Sequence, residues 1–268
     1  MHNLALVLAV GALLGLVMGL LGGGGGILAV PLLVALGVTI REASTASLVV
    51  VGFGALAGLI PHHFARRVDW RLGITFGVLG AGGAIVGAKL GVTVNPTLVA
   101  AGFPVLLLLA SLAMFRSART NYAMAQQPSD IASSEASDET TPARIKSWPI
   151  TIGLATGVGL VTGFFGVGGG FIVVPALVAA MRIPVRRATA TGLVVIAINS
   201  AVALSVRHSV SPPWSLTLTM AGATAVFTIV GALLSRRIPG WILSAGFGAL
   251  TLLVAIYSFA RVVTHTTH

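Results

Sequence analysis

The chain has 268 residues, 56% of them hydrophobic and 8% charged, and its 16 Lys and Arg against 6 Asp and Glu give a formal charge of +10. A soluble domain carries about 25% charged residues, and a mean hydropathy of +1.01 excludes a water-soluble globule in favour of one integral membrane domain. No cysteine is present, which excludes disulfides and thiolate metal sites. The basic residues stand singly or in pairs between apolar runs, a pattern that sets membrane topology and does not suit nucleic acid.

Residues 3–21 are apolar, follow only His2 and lead to no small-residue cleavage site, so they predict a retained helix. The run Gly22-Gly23-Gly24-Gly25-Gly26 follows. Glycine holds a helix poorly and lets other groups approach bare backbone, so the helix is expected to break there. Residues 27–38 predict a half-span of about 18 Å at 1.5 Å per residue, with Pro31 in its first turn. Further helices are predicted over 43–60, 72–90 and 97–115; the second of these carries Gly77, Gly80, Gly82, Gly83 and Gly87, which would let helices pack closely in lipid.

Residues 120–142 hold four of the six acids and almost no large apolar side chain, the composition of a disordered linker. The second half predicts helices over 148–165, 171–181, 188–206, 214–235 and 241–260. It repeats the first. Residues 15–36 and 159–180 are identical at 13 of 22 positions at an offset of 144, so Gly22–Gly26 faces Gly166-Val167-Gly168-Gly169-Gly170. Pro31 faces Pro175, Trp70 faces Trp214, and a one-residue slip sets His63 opposite His208.

Charge placement gives the relation between the halves. Arg66, Arg67 and Arg71, the linker flanks Arg116, Arg119, Arg144 and Lys146, then Arg182, Arg186 and Arg187, and finally Arg236 and Arg237 make twelve basic residues in alternate loops. The other loops hold Arg41, Lys89, Arg207 and Arg261. Basic loops stay in the cytoplasm, so the halves have opposite orientations, the N-terminus is outside and the linker is cytoplasmic. The expected fold is therefore an all-α polytopic membrane protein of two inverted-topology repeats. Each has about five helical segments, one a half-helix after a glycine break; the repeats cover 1–118 and 147–262, joined by the linker 119–146. Whether the first helix and the half-helix form a re-entrant hairpin or both cross fully is left open.

Inverted repeats with interrupted helices recur in secondary transporters, whose substrate sites lie near the midplane. A helix N-terminus offers unsatisfied N–H groups and about half a positive charge, and two converging ends would hold an anion. The candidate backbone donors are Gly24, Gly25, Gly26, Gly168, Gly169 and Gly170. The same glycines would also serve close helix packing or a hairpin turn. Ser44, Thr45 and Ser47, and Thr189 and Thr191, follow the half-helices, where hydroxyls either contact a ligand or cap the next helix. Ser47 and Thr191 complete the candidate site, together with Asn199, which would alternatively bond a neighbouring helix.

Only Glu42 and Asp69 lie outside the linker, both at predicted helix ends. Cation transporters and proton pumps usually need acids within the membrane, so an anionic substrate is favoured. Proton coupling would fall to His62, His63 or His208, with His63 and His208 matched by the repeat; each also fits a solvated interfacial side chain. No HExxH, GxSxG, nucleotide-type glycine loop or His/Asp cluster is visible. An enzyme is not expected, nor any cofactor or metal.

The doubled GLxGxGGGxxxxP pattern, the stretch Ala43-Ser44-Thr45-Ala46-Ser47-Leu48, and His63 with Val68-Asp69-Trp70 resemble the TauE/SafE family of sulfite and organosulfonate exporters. The resemblance implies a multi-pass permease of the cell inner membrane that exports sulfite, sulfoacetate or related sulfonates. Its paired glycine motifs fall on Gly22–Gly26 and Gly166–Gly170, and its threonine-serine motif on Ala46-Ser47 and Thr191-Gly192. Each copy of the latter keeps one hydroxyl, and Arg66-Arg67 stands where the family often has glycine. The expected partners are the small anion, the lipid bilayer and a second copy in a homodimer, with no nucleic acid. A passive anion channel, a carboxylate transporter and a non-transporting membrane scaffold subunit are the alternatives.

Overall fold

The computed structural model describes residues 4–93, 96–125, 148–165, 170–181, 183–206 and 211–266. Among them are ten helices and no strand. In chain order they are α1 (Leu4–Leu21), α2 (Gly25–Ala35), α3 (Ile40–Phe64), α4 (Trp70–Thr93) and α5 (Pro96–Ala125), then α6 (Trp148–Phe165), α7 (Gly170–Met181), α8 (Val185–Val206), α9 (Trp214–Leu234) and α10 (Gly240–Thr266). Seven of the described helices are long and apolar enough to cross a membrane. Leu8, Phe53, Leu56, Val78, Leu109, Val226, Leu253 and Ile256 stand exposed around the bundle. So much apolar surface belongs in lipid, and the chain is a multi-pass membrane protein.

Every predicted segment is a helix, because in hydrocarbon the backbone must satisfy its own hydrogen bonds. Of the boundaries that differ from expectation, three bear on the site or the linker. α2 begins two residues early, so Pro31 lies in its interior, where the missing N–H leaves the Ile27 carbonyl without its helical donor. α3 runs through Pro61 to Phe64, which places His62 and His63 in its last turn. α5 continues to Ala125, into the stretch read as linker. There Thr120 donates to the Arg116 carbonyl (3.1 Å) and Tyr122 packs edge-on against Trp241 (5.2 Å). Residues 126–147 lie outside the described ones.

Of the α4 glycines expected to pack closely, Gly83 and Gly87 admit the backbone of α6 at Thr156 and Leu160 and Gly77 lies on Ile198, whereas Gly82 meets nothing within 4 Å. Gly11, Gly15 and Gly19 form one stripe of α1, and α9 lies so close along it that a Cβ on Gly19 would meet the Thr228 carbonyl and come within 2.7 Å of the Ala232 nitrogen. Gly159 and Gly163 of α6, which face Gly15 and Gly19 in the repeat, admit the backbone of α4 in the same way at Gly80 and Ala84. Small residues at four-residue spacing are how helices associate where no hydrophobic effect drives them together.

The packing partners largely survive exchange of the two halves: α1 lies on α9 as α6 lies on α4, α3 on α9 as α8 on α4, and α2 on α3 as α7 on α8. α3 also packs on α8, and α5 on α10. Gly52 lies on Ser200 and Gly58 on Leu193, so α3 and α8 run antiparallel. Ser111 donates to the Gly248 carbonyl (2.9 Å) while Tyr122 meets Trp241, so α5 and α10 are antiparallel as well.

Candidate functional site

The first glycine run makes a hairpin turn. Leu21 ends α1, and Gly22 has φ +73°, a left-handed conformation that side chains with a Cβ rarely take. Gly22 N–H closes on the Met18 carbonyl (2.8 Å) and Gly26 N–H on the Gly23 carbonyl (3.3 Å). α2 then folds back on α1. A Cβ on Gly25 would lie 2.8 Å from the Met18 Cβ, which is why this position has none. The cap residue Gly24 has no side chain to bond the first turn.

The N–H groups of Gly23, Gly24 and Gly25 therefore bond no described residue, although all three glycines are buried. Buried backbone donors are nearly always paired, and these sit at the positive end of an eleven-residue helix. One wall of the turn is apolar: Phe247 and Leu250 of α10 lie 3.6 and 3.3 Å from where a Gly24 Cβ would stand. The other wall is Thr189 of α8, whose Cγ2 is 2.6 Å from the Cβ position of Gly22. Thr189 is 2% exposed, and its hydroxyl is buried without a hydrogen-bond partner.

The remaining predicted residues divide. Gly170 opens α7, whereas Gly168, Gly169 and His208 lie outside the described residues. Ser47 is buried but donates to the Ser44 carbonyl of its own helix (2.8 Å). Thr191 accepts from Asp69 N–H (3.2 Å) and so ties α8 to the start of α4. Asn199 stands beside Gly80 of α4, its Oδ1 buried and without partner. His63 is exposed and packs edge-on against Phe64 (5.8 Å) and Trp70 (5.7 Å), an interfacial position.

Two residues outside the chosen set are brought forward by the packing. Thr189 is one. The other is His62, 2% exposed, with neither ring nitrogen partnered. The signal for it was spacing: Gly54, Gly58 and His62 share one face of α3, and the first two lie against α9, Gly58 also against α8.

Arginines collect where α3 ends and α4 and α8 begin. Arg236 donates to the Pro61 carbonyl (2.9 Å), Arg186 to the Ile238 carbonyl (2.8 Å), and Arg187 faces Asp69 across 3.9 Å. Asp69 also receives the Leu72 N–H (3.1 Å), capping α4. Glu42, at the far end of α3, closes a capping box with Thr39. Neither acid lies within a span's interior, as the sequence implied.

Residues 7–258 match the sulfite exporter TauE/SafE family. The chain belongs to that family. It is 30% identical over 266 residues to a probable membrane transporter protein of Xylella fastidiosa (strain Temecula1), covering 97% of this chain and 96% of the relative. It is 27% identical over 219 residues to the probable membrane transporter protein YunE of Bacillus subtilis (strain 168), covering 78% and 79%. No solved structure matches the chain. The chain is thus a membrane transporter of the TauE/SafE family.

Proposed function

We propose that the chain exports a small sulfur oxyanion, sulfite or an organosulfonate, across the cell inner membrane by alternating access. The observation that carries this reading is the buried turn at Gly23–Gly25, three backbone donors that bond no described residue, with Thr189, whose hydroxyl has no partner, packed against it. Those groups suit an oxyanion: its oxygens accept from N–H and O–H, and the α2 N-terminus favours negative charge. The acids of the described spans, Asp69 and Glu42, cap helix ends and leave no carboxylate to compete. Family membership points to transport and not to catalysis.

Inverted repeats would supply the alternation. The antiparallel pairs α3 with α8 and α5 with α10, and the exchange of packing partners between halves, support repeats over 1–118 and 147–262. With the arginine-rich end in the cytoplasm, the α1–α2 hairpin enters from outside and brings its turn toward the cytoplasmic side. Initial rates of labelled sulfite and a two-carbon sulfonate into proteoliposomes test the reading, with chloride as control. Saturable flux is expected for wild type, and its loss in Gly24→Leu, whose side chain would press on Leu250, Leu21 and Phe247 and displace the turn. Equal flux in both proteins would refute the site, and no flux of either anion would refute the substrate class.

A further inference from the structure

His62, in the last turn of α3, is 2% exposed with neither ring nitrogen partnered. A buried imidazole with both nitrogens unpartnered is a rare arrangement, costing about 1–3 kcal/mol for each unmet group. Its surroundings are basic. The Arg67 N–H donates to the His62 carbonyl (3.2 Å) and the Arg236 guanidinium to the Pro61 carbonyl (2.9 Å), so both residues lie at the end of α3 that carries the ring. The nearby acid, Asp69, is engaged by Arg187 and by the cap of α4.

The register of α3 on α8 shows where this cluster leads. Gly58 lies on Leu193, and one helical turn further along the antiparallel pair sets His62 opposite Thr189. Thr189 in turn touches Gly22 at the hairpin turn. Behind the arginine-rich end, His62 and Thr189, two buried side chains with unpartnered polar atoms, thus lie in line with the glycine turn.

The geometry points to a second anion station, formed by His62 with Arg67 and Arg236, through which an oxyanion passes between the arginine-rich end and the glycine turn. It takes a small anion with two or more oxygens on one centre, one accepting from an imidazole N–H and another from a guanidinium. The inference rests on the transport reading above. An exposed phosphate or lipid headgroup shares this chemistry, but the 2% exposure of His62 favours the transported anion.

Half-saturation for labelled sulfite, measured in right-side-out and inside-out vesicles carrying the full chain, tests the station. His62→Leu is expected to raise it fivefold or more in one orientation only, with the saturated rate kept. His62→Gln, which retains a side-chain N–H, should stay within about twofold of wild type. Arg236→Gln should shift the same orientation as His62→Leu. An unchanged value in both orientations, or an equal rise in both, overturns the station while leaving the glycine site standing. If wild type moves no sulfite, thermal unfolding of lipid-free purified protein with added sulfite or sulfate decides. Stabilisation lost in His62→Leu supports a station for a soluble oxyanion, and its absence or persistence overturns it.

Discussion

Thr189→Val changes one atom's chemistry at nearly constant shape, and the structure fixes opposite signs for its two effects. In the ligand-free protein the Thr189 hydroxyl is buried with no partner. Replacing it by a methyl removes an unmet polar group that costs about 1–3 kcal/mol, so stability should hold or rise. With an oxyanion bound, the same hydroxyl donates to a charged acceptor, an interaction of about 1.5–3 kcal/mol. At 1.4 kcal/mol per tenfold, affinity should fall roughly ten- to a hundredfold. Thermal unfolding in detergent and the half-saturation of sulfite flux report the two quantities separately. A valine variant that unfolds earlier and transports with an unchanged half-saturation would show that the hydroxyl serves packing, and the reasoning would fail.

Other substitutions separate the parts of the fold. Thr191→Val should behave in the opposite way to Thr189→Val: it strands the Asp69 N–H and should cost about 1–3 kcal/mol in thermal unfolding, with little effect on half-saturation. Gly19→Ala drives a methyl into the backbone of α9 and should cost about 1–3 kcal/mol or more. Gly82→Ala meets nothing within 4 Å and should be neutral or stabilise by about 0.5–1 kcal/mol through helix propensity. Asp69→Ala removes both the cap of α4 and the partner of Arg187, and the lost cap alone should cost about 0.5–2 kcal/mol. Asp69→Asn keeps a capping oxygen and should recover most of that loss in the same unfolding assay.

The helices were legible because the solvent is lipid: an apolar run of sufficient length has few other ways to satisfy its backbone. Close packing at glycine was legible for Gly83 and Gly87 of α4, which admit the α6 backbone, but not the open side of Gly82. The helix predicted to stop at residue 60 continues through Pro61 to Phe64, where Arg236 donates to the Pro61 carbonyl. The side-chain choices depended on rotation. Thr189 and Thr191 are two residues apart on one helix and therefore point to nearly opposite sides, so sequence could name both but not tell the side chain that meets the turn from the one that anchors α4. His62 and His63 differ in the same way by about 100°, one buried against the neighbouring helices and the other edge-on to Trp70 at the rim. Repeat matching favoured His63 because it paired with His208, whereas burial depends on what packs against α3.

The central claim is that a sulfur oxyanion binds at the buried glycine turn of a carrier. Counterflow tests it most directly: proteoliposomes preloaded with unlabelled sulfite, diluted under anaerobic conditions into a trace of labelled sulfite. The account predicts a transient accumulation of label above equilibrium, abolished in Gly24→Leu and restored in Thr189→Val only at higher sulfite concentration. Label that equilibrates without overshoot, or an overshoot indifferent to both substitutions, would contradict it.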